Sequence, residues 1–238
     1  MAETMTPLAG VINLDKPPGI SSARAVDRVK RVLPRGTKIG HAGTLDPFAT
    51  GVLLLLIGKA TKACERLMDA PKQYEATVTF GATTATDDPE SPPTSWTPSH
   101  ARSVEPVQRD RIDAALAAFV GRILQRPPAF SAMKIDGRRA YDIARKGGDV
   151  ALEPRPVNVY AVEIIDYAWP RLRLRIDCGR GTYIRAIARD LGEALDVGGY
   201  LTELRRTRVG PFTAREAVSL DRVATEGVTP HLRPVPAP

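Results

Sequence analysis

An α+β fold, built on a mixed and largely antiparallel sheet with helices packed around it, is what this sequence predicts. Three observations carry that expectation. Val52-Leu53-Leu54-Leu55-Leu56-Ile57 is an unbroken apolar run of strand length, which fits a strand buried on both faces. Residues 171–178 alternate strictly, with Leu172, Leu174, Ile176 and Cys178 on one face and Arg171, Arg173, Arg175 and Asp177 on the other. They follow a second strand, 157–167, across a turn at Trp169-Pro170. Residues 21–33 and 184–195 instead repeat apolar residues at helical spacing.

The elements follow in order. Residues 1–9 read as a loose leader, and 10–15 as a short strand stopped by Lys16-Pro17-Pro18-Gly19. Ser21 and Ser22 both offer N-caps for a helix that buries Ala25, Val26, Val29, Val32 and Leu33. Its other face, with Arg24, Arg28, Lys30 and Arg31, reads as solvated. Lys16 is held by the Pro-Pro-Gly turn, from which it could reach a phosphate. Residues 61–68 form a short helix. Residues 74–80 form a strand with Tyr74, Ala76, Val78 and Phe80 on one face. From 81 to 107 the composition turns to Thr, Asp, Ser and Pro, and a long exposed loop is expected. A helix with Ile112, Leu116, Phe119 and Val120 follows, with Gly121 as its stop. The stretch from Arg126 to Lys146 is the densest basic and aromatic patch, with Phe130, Lys134, Arg138, Arg139, Tyr141 and Arg145. Such interleaving suits contacts to a nucleic-acid backbone combined with base stacking. Arg185 and Arg189 stand one turn apart near the start of the helix after Gly179-Arg180-Gly181-Thr182. The core should occupy residues 10–222, followed by a Pro-rich tail over 223–238, of which 231–238 is expected to be disordered.

Composition narrows the class of partner. The 238 residues carry a formal charge of +7, and 26 of the 34 cationic residues are arginines, which suit phosphate and base-edge recognition. Cys64 and Cys178 have no metal-ligand spacing and point to a reducing compartment. No apolar run approaches the ~18 residues of a membrane span, so a cytoplasmic protein is expected. A phosphate loop of the G-x-x-x-x-G-K-[ST] kind is absent, which argues against a nucleotide-binding enzyme.

The chain is organised around Gly40-His41-Ala42-Gly43-Thr44-Leu45-Asp46-Pro47-Phe48-Ala49-Thr50-Gly51. Three glycines and a proline exclude a helix interior or a plain strand, so this is a structured turn leading into the buried 52–57 run. A carboxylate held at the mouth of a rigid core is well placed as a nucleophile or base. This run resembles the catalytic motif of the TruB family of tRNA pseudouridine synthases. Pro127-Pro128-Ala129-Phe130-Ser131-Ala132, the strand-Gly179-x-Gly181-Thr182-Tyr183-Ile184-Arg185 arrangement and 204–212 resemble three further motifs of that family, in its order.

The resemblance implies a pseudouridine synthase fold with an RNA-binding cleft. It implies isomerisation of uridine to pseudouridine at position 55, in the T loop of tRNA, with Asp46 as the catalytic aspartate. By the same resemblance Tyr74 lies against the target base, Arg185 pairs with the aspartate, and His41 helps to displace the target from its loop pairing. Lys16, Tyr183 and Leu204 match pocket residues, and Lys134, Arg138, Arg139 and Arg145 are candidates for contacts to RNA. A non-catalytic RNA-binding protein of the same fold is one rival reading, which an intact Asp46, Tyr74 and Arg185 opposes, and a relative that modifies ribosomal or guide-directed RNA is a second, ranked lower. The isomerisation moves no electrons and adds no group, so no cofactor and no metal is expected. The T arm of tRNA is the expected partner, with no membrane association, no obligatory protein partner and a monomeric state. Two departures from the family pattern stand out. A small C-terminal domain, often of the PUA type, is expected to be missing, and the family's Thr-Asp-x-x-Asp stretch reads Thr86-Asp87-Asp88-Pro89 here.

Overall fold

The computed structural model describes residues 8–99, 104–131, 133–135, 138–139 and 152–237. The core expected over 10–222 comprises two compact units, residues 1–74 with 205–238 and residues 75–204. Strands and helices are numbered below in chain order.

The first unit is built on β3 (Thr50–Ile57), in which every residue from Val52 to Ile57 is fully buried. A strand of this kind, apolar on both faces, needs cover on each side and a neighbour on each edge. β1 (Gly10–Lys16) lies antiparallel on one edge, from Gly10 opposite Ile57 to Lys16 opposite Gly51. On the other edge β2 (Ile39–Ala42) runs antiparallel with Ile39 opposite Ile57. Arg205 and Arg206 of β12 (Gly199–Val209) run parallel to Thr50 and Gly51 on that edge. The sheet is therefore mixed, as expected. Gly51 explains itself here: its φ is +101°, and a Cβ would lie 2.2 Å from the Arg206 carbonyl oxygen. α1 (Ser22–Lys30) buries Ala25 and Val29, and its arginines and lysine face solvent. α2 (Cys64–Asp69) buries Leu67, which joins Val11, Ala42, Leu54, Leu56, Val209 and Phe212 in one apolar cluster.

As far as residue 237 the tail is ordered. Val218–Ser219 (β14) pairs in parallel with β1, and α5 (Leu220–Glu226) packs against α1, capped by the Ser219 hydroxyl accepting from the Arg222 amide at 3.3 Å. Further on, Val11 and Arg233 exchange backbone hydrogen bonds of 2.8 and 2.9 Å, and Val235 packs on the apolar cluster. Prolines cannot donate, but they leave Arg233 extended and free to pair at the edge of β1.

In the second unit β10 (Arg155–Ala168) and β11 (Arg171–Cys178) form the expected antiparallel hairpin, Ala168 opposite Arg171. Leu172, Leu174, Ile176 and Cys178 are all buried. β7 (Gly121–Gln125) pairs with the other edge of β10, with Gln125 opposite Arg155. Gly121, expected only as the stop of the preceding helix, opens this strand. Before it comes α3 (Arg109–Ala117), and after β11 comes α4 (Ile184–Ala194), which buries Ile184, Arg185, Ile187 and Leu191. β4 (Lys72–Phe80) alternates as expected, with Tyr74, Ala76, Val78 and Phe80 buried. β4 and β12 each contain a point at which the chain passes between the units.

The loop expected to be exposed over 81–107 is partly buried. It holds a small pairing of β5 (Ala82–Thr83) with β6 (Thr94–Ser95), and Thr84, Thr86 and Asp88 are at most 9% exposed. Its polar residues are buried because they satisfy one another. Thr86 Oγ1 donates to Asp88 Oδ1 at 2.5 Å, Thr84 Oγ1 donates to the Asp88 carbonyl, and Asp88 Oδ1 also accepts from the Glu90 amide.

Candidate active site

In the first unit the loop from Gly43 to Pro47 is fixed by its own carbonyls. The Gly43 and Thr44 oxygens accept from the guanidinium of Arg206 at 3.1 and 3.3 Å, and the Leu45 oxygen accepts from the Ser22 hydroxyl at 3.0 Å. The Asp46 oxygen accepts from the Ala49 amide, and the Pro47 oxygen accepts from the Gly19 amide and the Lys16 ammonium. Five successive peptide carbonyls are thus satisfied from different parts of the unit. The half-buried Asp46 carboxylate rides on this frame. Ser22 and Arg206 went unrecognised as parts of it in the sequence. An arginine in a basic motif reads as a surface cation, whereas Arg206 is 1% exposed and also donates from Nε to the Val52 carbonyl at 2.7 Å.

Lys16 needs correction. It is fully buried, and its ammonium donates to the carbonyls of Pro17, Ile20 and Pro47 at 2.8, 2.8 and 3.2 Å. An ammonium has only three protons to donate, so Lys16 fastens the turn to the Asp46 loop and does not extend to a phosphate. His41 lies on β2, and burial, helped by the positive charge of Arg206, lowers its pKa. It is therefore neutral near pH 7, and its buried Nδ1 has no hydrogen-bond partner among the described residues. Tyr74 is 8% exposed on β4.

The second unit holds the other candidates. Arg185, in the first turn of α4, is 3% exposed. Its guanidinium pairs with Asp88 Oδ2 at 3.2 Å and donates to the Thr86 and Phe130 carbonyls at 2.8 and 3.0 Å. The Thr86-Asp87-Asp88 loop, noted in the sequence only as a departure, is what orients this arginine. Tyr183, just before the helix, is held through its backbone: Gln125 Oε1 accepts from its N–H at 2.8 Å and Gln125 Nε2 donates to its carbonyl at 3.1 Å. Leu204, on β12, is 8% exposed.

Asp87 adds a titrating group to the loop. It pairs with Arg189 at 3.0 Å, and Arg189 also pairs with Asp190 at 2.7 Å. Burial pushes the Asp87 carboxyl up to about 6; Arg189 and Arg185 pull against it, and Asp190 adds to the rise. Since the folded value exceeds the unfolded 3.8, Asp87 contributes most to stability below that value and loses the contribution as pH rises through about 6. Wild-type stability minus that of Asp87→Asn, measured by urea denaturation, should fall by on the order of 2 kcal/mol from pH ~4 to ~7. A difference independent of pH would show that Asp87 titrates as an ordinary carboxylate.

Of the RNA-binding candidates, Lys134 lies on β8 (Lys134–Ile135), and Arg138 and Arg139 form β9 (Arg138–Arg139), paired with it. Arg145 lies outside the described residues. At the end of β2 and β3 remote from Asp46 there is a cleft of about 610 Å³, lined by Arg35, Lys38, Lys59 and Lys62 among others and by no carboxylate. Among the described residues no group of His, Cys, Asp and Glu could hold a metal, and no helix is long and apolar enough to cross a membrane.

Comparison with known proteins places this arrangement in a family. Residues 30–184 match the TruB family pseudouridylate synthase N-terminal domain, and residues 185–233 match the tRNA pseudouridylate synthase B C-terminal domain. The chain belongs to the TruB family of pseudouridylate synthases. Within it, the chain is 48% identical over 211 residues to the tRNA pseudouridine synthase B of Aromatoleum aromaticum, covering 89% of this chain and 66% of that one. It is 45% identical over 219 residues to the protein of the same name from Xanthomonas oryzae pv. oryzae, covering 92% and 69%. Among solved structures it is similar to a chain in a Cbf5-Nop10-Gar1 complex (TM-score 0.69, 32% identity, 92% of this chain and 54% of that one). It is also similar to a chain of an H/ACA RNP bound to a substrate RNA containing 2′-deoxyuridine (TM-score 0.66, 30% identity, 92% and 53%). The chain thus spans about two thirds of the curated relatives and about half of the solved ones.

Proposed function

We propose that this chain is a tRNA pseudouridine synthase that isomerises uridine 55 in the T loop, with Asp46 as the catalytic carboxylate. The observation that carries the reading is the Gly43–Pro47 frame, in which every peptide carbonyl is satisfied and Asp46 is half-buried. Such a frame presents one reactive group in one geometry. In the reaction the bond from C1′ to N1 of the uridine breaks, the ring turns over, and C5 bonds to C1′; C5 loses its proton and N1 gains one. Nothing is oxidised and no group is imported, so the chemistry needs a carboxylate and a confined base, without a cofactor or metal. The base must leave its stack to meet Asp46. Tyr74 lies against it, and His41, uncharged near pH 7, helps displace it by shape and hydrogen bonding. By the family resemblance Arg185, Tyr183 and Leu204 are proposed as further substrate-binding residues. Identity to proteins named for tRNA exceeds that to the chains in the H/ACA assemblies, which favours tRNA as substrate.

Phosphate contacts are proposed for Lys134, Arg138, Arg139 and Arg145 and for the basic cleft beside Lys38 and Lys62, so affinity should fall steeply with salt. Action as a cytoplasmic monomer without an obligatory protein partner belongs to the same proposal. Incubation with an unmodified tRNA transcript, followed by carbodiimide modification and primer extension, should give one stop, at position 55. A stop elsewhere, or none, would overturn the assignment. An isolated T-arm hairpin should react with a similar kcat and a higher KM, because RNA is read best in unpaired loops. An inert hairpin beside a reactive tRNA would move recognition outside the T arm.

A further inference from the structure

Two serines open α1, and they do different things. Ser21 caps the helix, its hydroxyl accepting from the Arg24 amide at 3.2 Å. Ser22 is 2% exposed, and its hydroxyl turns to a peptide 23 residues away. Its Oγ accepts from the Leu45 N–H at 2.8 Å and donates to the Leu45 carbonyl at 3.0 Å, both bonds buried. One hydroxyl thus holds both polar groups of the residue immediately before Asp46.

We propose that Ser22 is a positioning residue that sets where the Asp46 carboxylate meets the uridine, an inference that rests on the function proposed above. Leu45 is 3% exposed, so without the Ser22 hydroxyl its N–H and C=O would be left buried and unpaired. They would regain partners only by moving. Arg206 on the Gly43 and Thr44 carbonyls and Lys16 on the Pro47 carbonyl hold the loop on either side. The loop therefore stays folded while its central residues gain freedom, and Asp46 follows Leu45 directly. Misplacement of a reacting group by about 1 Å costs on the order of 100-fold in rate. RNA affinity, which rests on many phosphate contacts, depends on none of this.

The test uses the full chain and a tRNA transcript tritiated at uridine C5, which releases its label when C5 bonds to C1′. Under single turnover, Ser22→Ala should release tritium at least about tenfold more slowly than wild type, with a Kd for the transcript within about twofold. Ser22→Thr keeps the hydroxyl and should recover the rate to within about threefold of wild type. Amide exchange at Leu45 should accelerate in the Ala variant and not in the Thr variant. A Ser22→Ala rate within about twofold of wild type, or a rate loss matched by an equal loss of affinity, would overturn the proposal. So would a Thr variant as slow as Ala with its Leu45 amide still protected. Failure of the wild type to release tritium would instead defeat the proposed function itself, while Leu45 exchange would still report whether Ser22 holds the loop.

Discussion

Asp46→Asn should lower turnover on a tRNA transcript by more than about 10⁴-fold, the scale seen when an essential nucleophile is removed. The amide has the shape of the carboxylate but neither its charge nor its nucleophilicity. The frame beneath it is made by backbone groups and by Ser22, Lys16 and Arg206, which hold the loop through its peptide carbonyls. The variant should therefore fold like wild type and bind the transcript with a Kd within about threefold, because affinity comes mainly from phosphates. Tritium release and filter binding, run side by side, separate the two effects. Turnover comparable to wild type would remove Asp46 from the catalytic role. Equal losses of binding and turnover would show that the carboxylate acts in recognition.

Much of this was legible in the sequence, and the rest was hidden for identifiable reasons. The buried run 52–57, the alternation of 171–178 and the helix after Gly181 are periodic apolar signals, and all three stand in the fold. The Asp46 turn could be read because glycine and proline leave few backbone options. What failed to show were polar side chains that work inside. Arg206, Lys16 and Asp88 have surface-like identities, yet each is at most 2% exposed because backbone carbonyls, hydroxyls or a guanidinium satisfy it. Pairing at that level depends on residues up to 163 apart in sequence, which no local pattern records. β7 was missed for the opposite reason: Gly121 and Arg122 carry no alternation, and only its pairing with β10 makes it a strand. The proline-rich tail was misjudged because composition ignores a single well-placed pair, Arg233 with Val11. Ser21 and Ser22 could not be told apart, since either can cap a helix and only the fold brings Leu45 to the second.

Arg206→Met should destabilise the protein by roughly 3–5 kcal/mol, since three carbonyls lose their donor and an unsatisfied buried group costs about 1–3 kcal/mol. Methionine fills most of the volume and removes the charge, so the loss would come mainly from the carbonyls of Val52, Gly43 and Thr44, which would be left unpaired. At roughly 2–4 °C per kcal/mol for a chain of this size, Tm should fall on the order of 10 °C. At a temperature where the variant is still folded, turnover should fall as well, because two of the five carbonyls that hold the Asp46 loop lose their donor. A third readout separates this clamp from general damage. The charge of Arg206 helps to lower the His41 pKa, so removing it should move the His41 midpoint upward, towards the ordinary value, as followed by NMR titration of the imidazole. Burial remains the larger cause, so the recovery should be partial. A variant with unchanged stability and an unmoved His41 titration would mean that Arg206 does not hold the loop in solution.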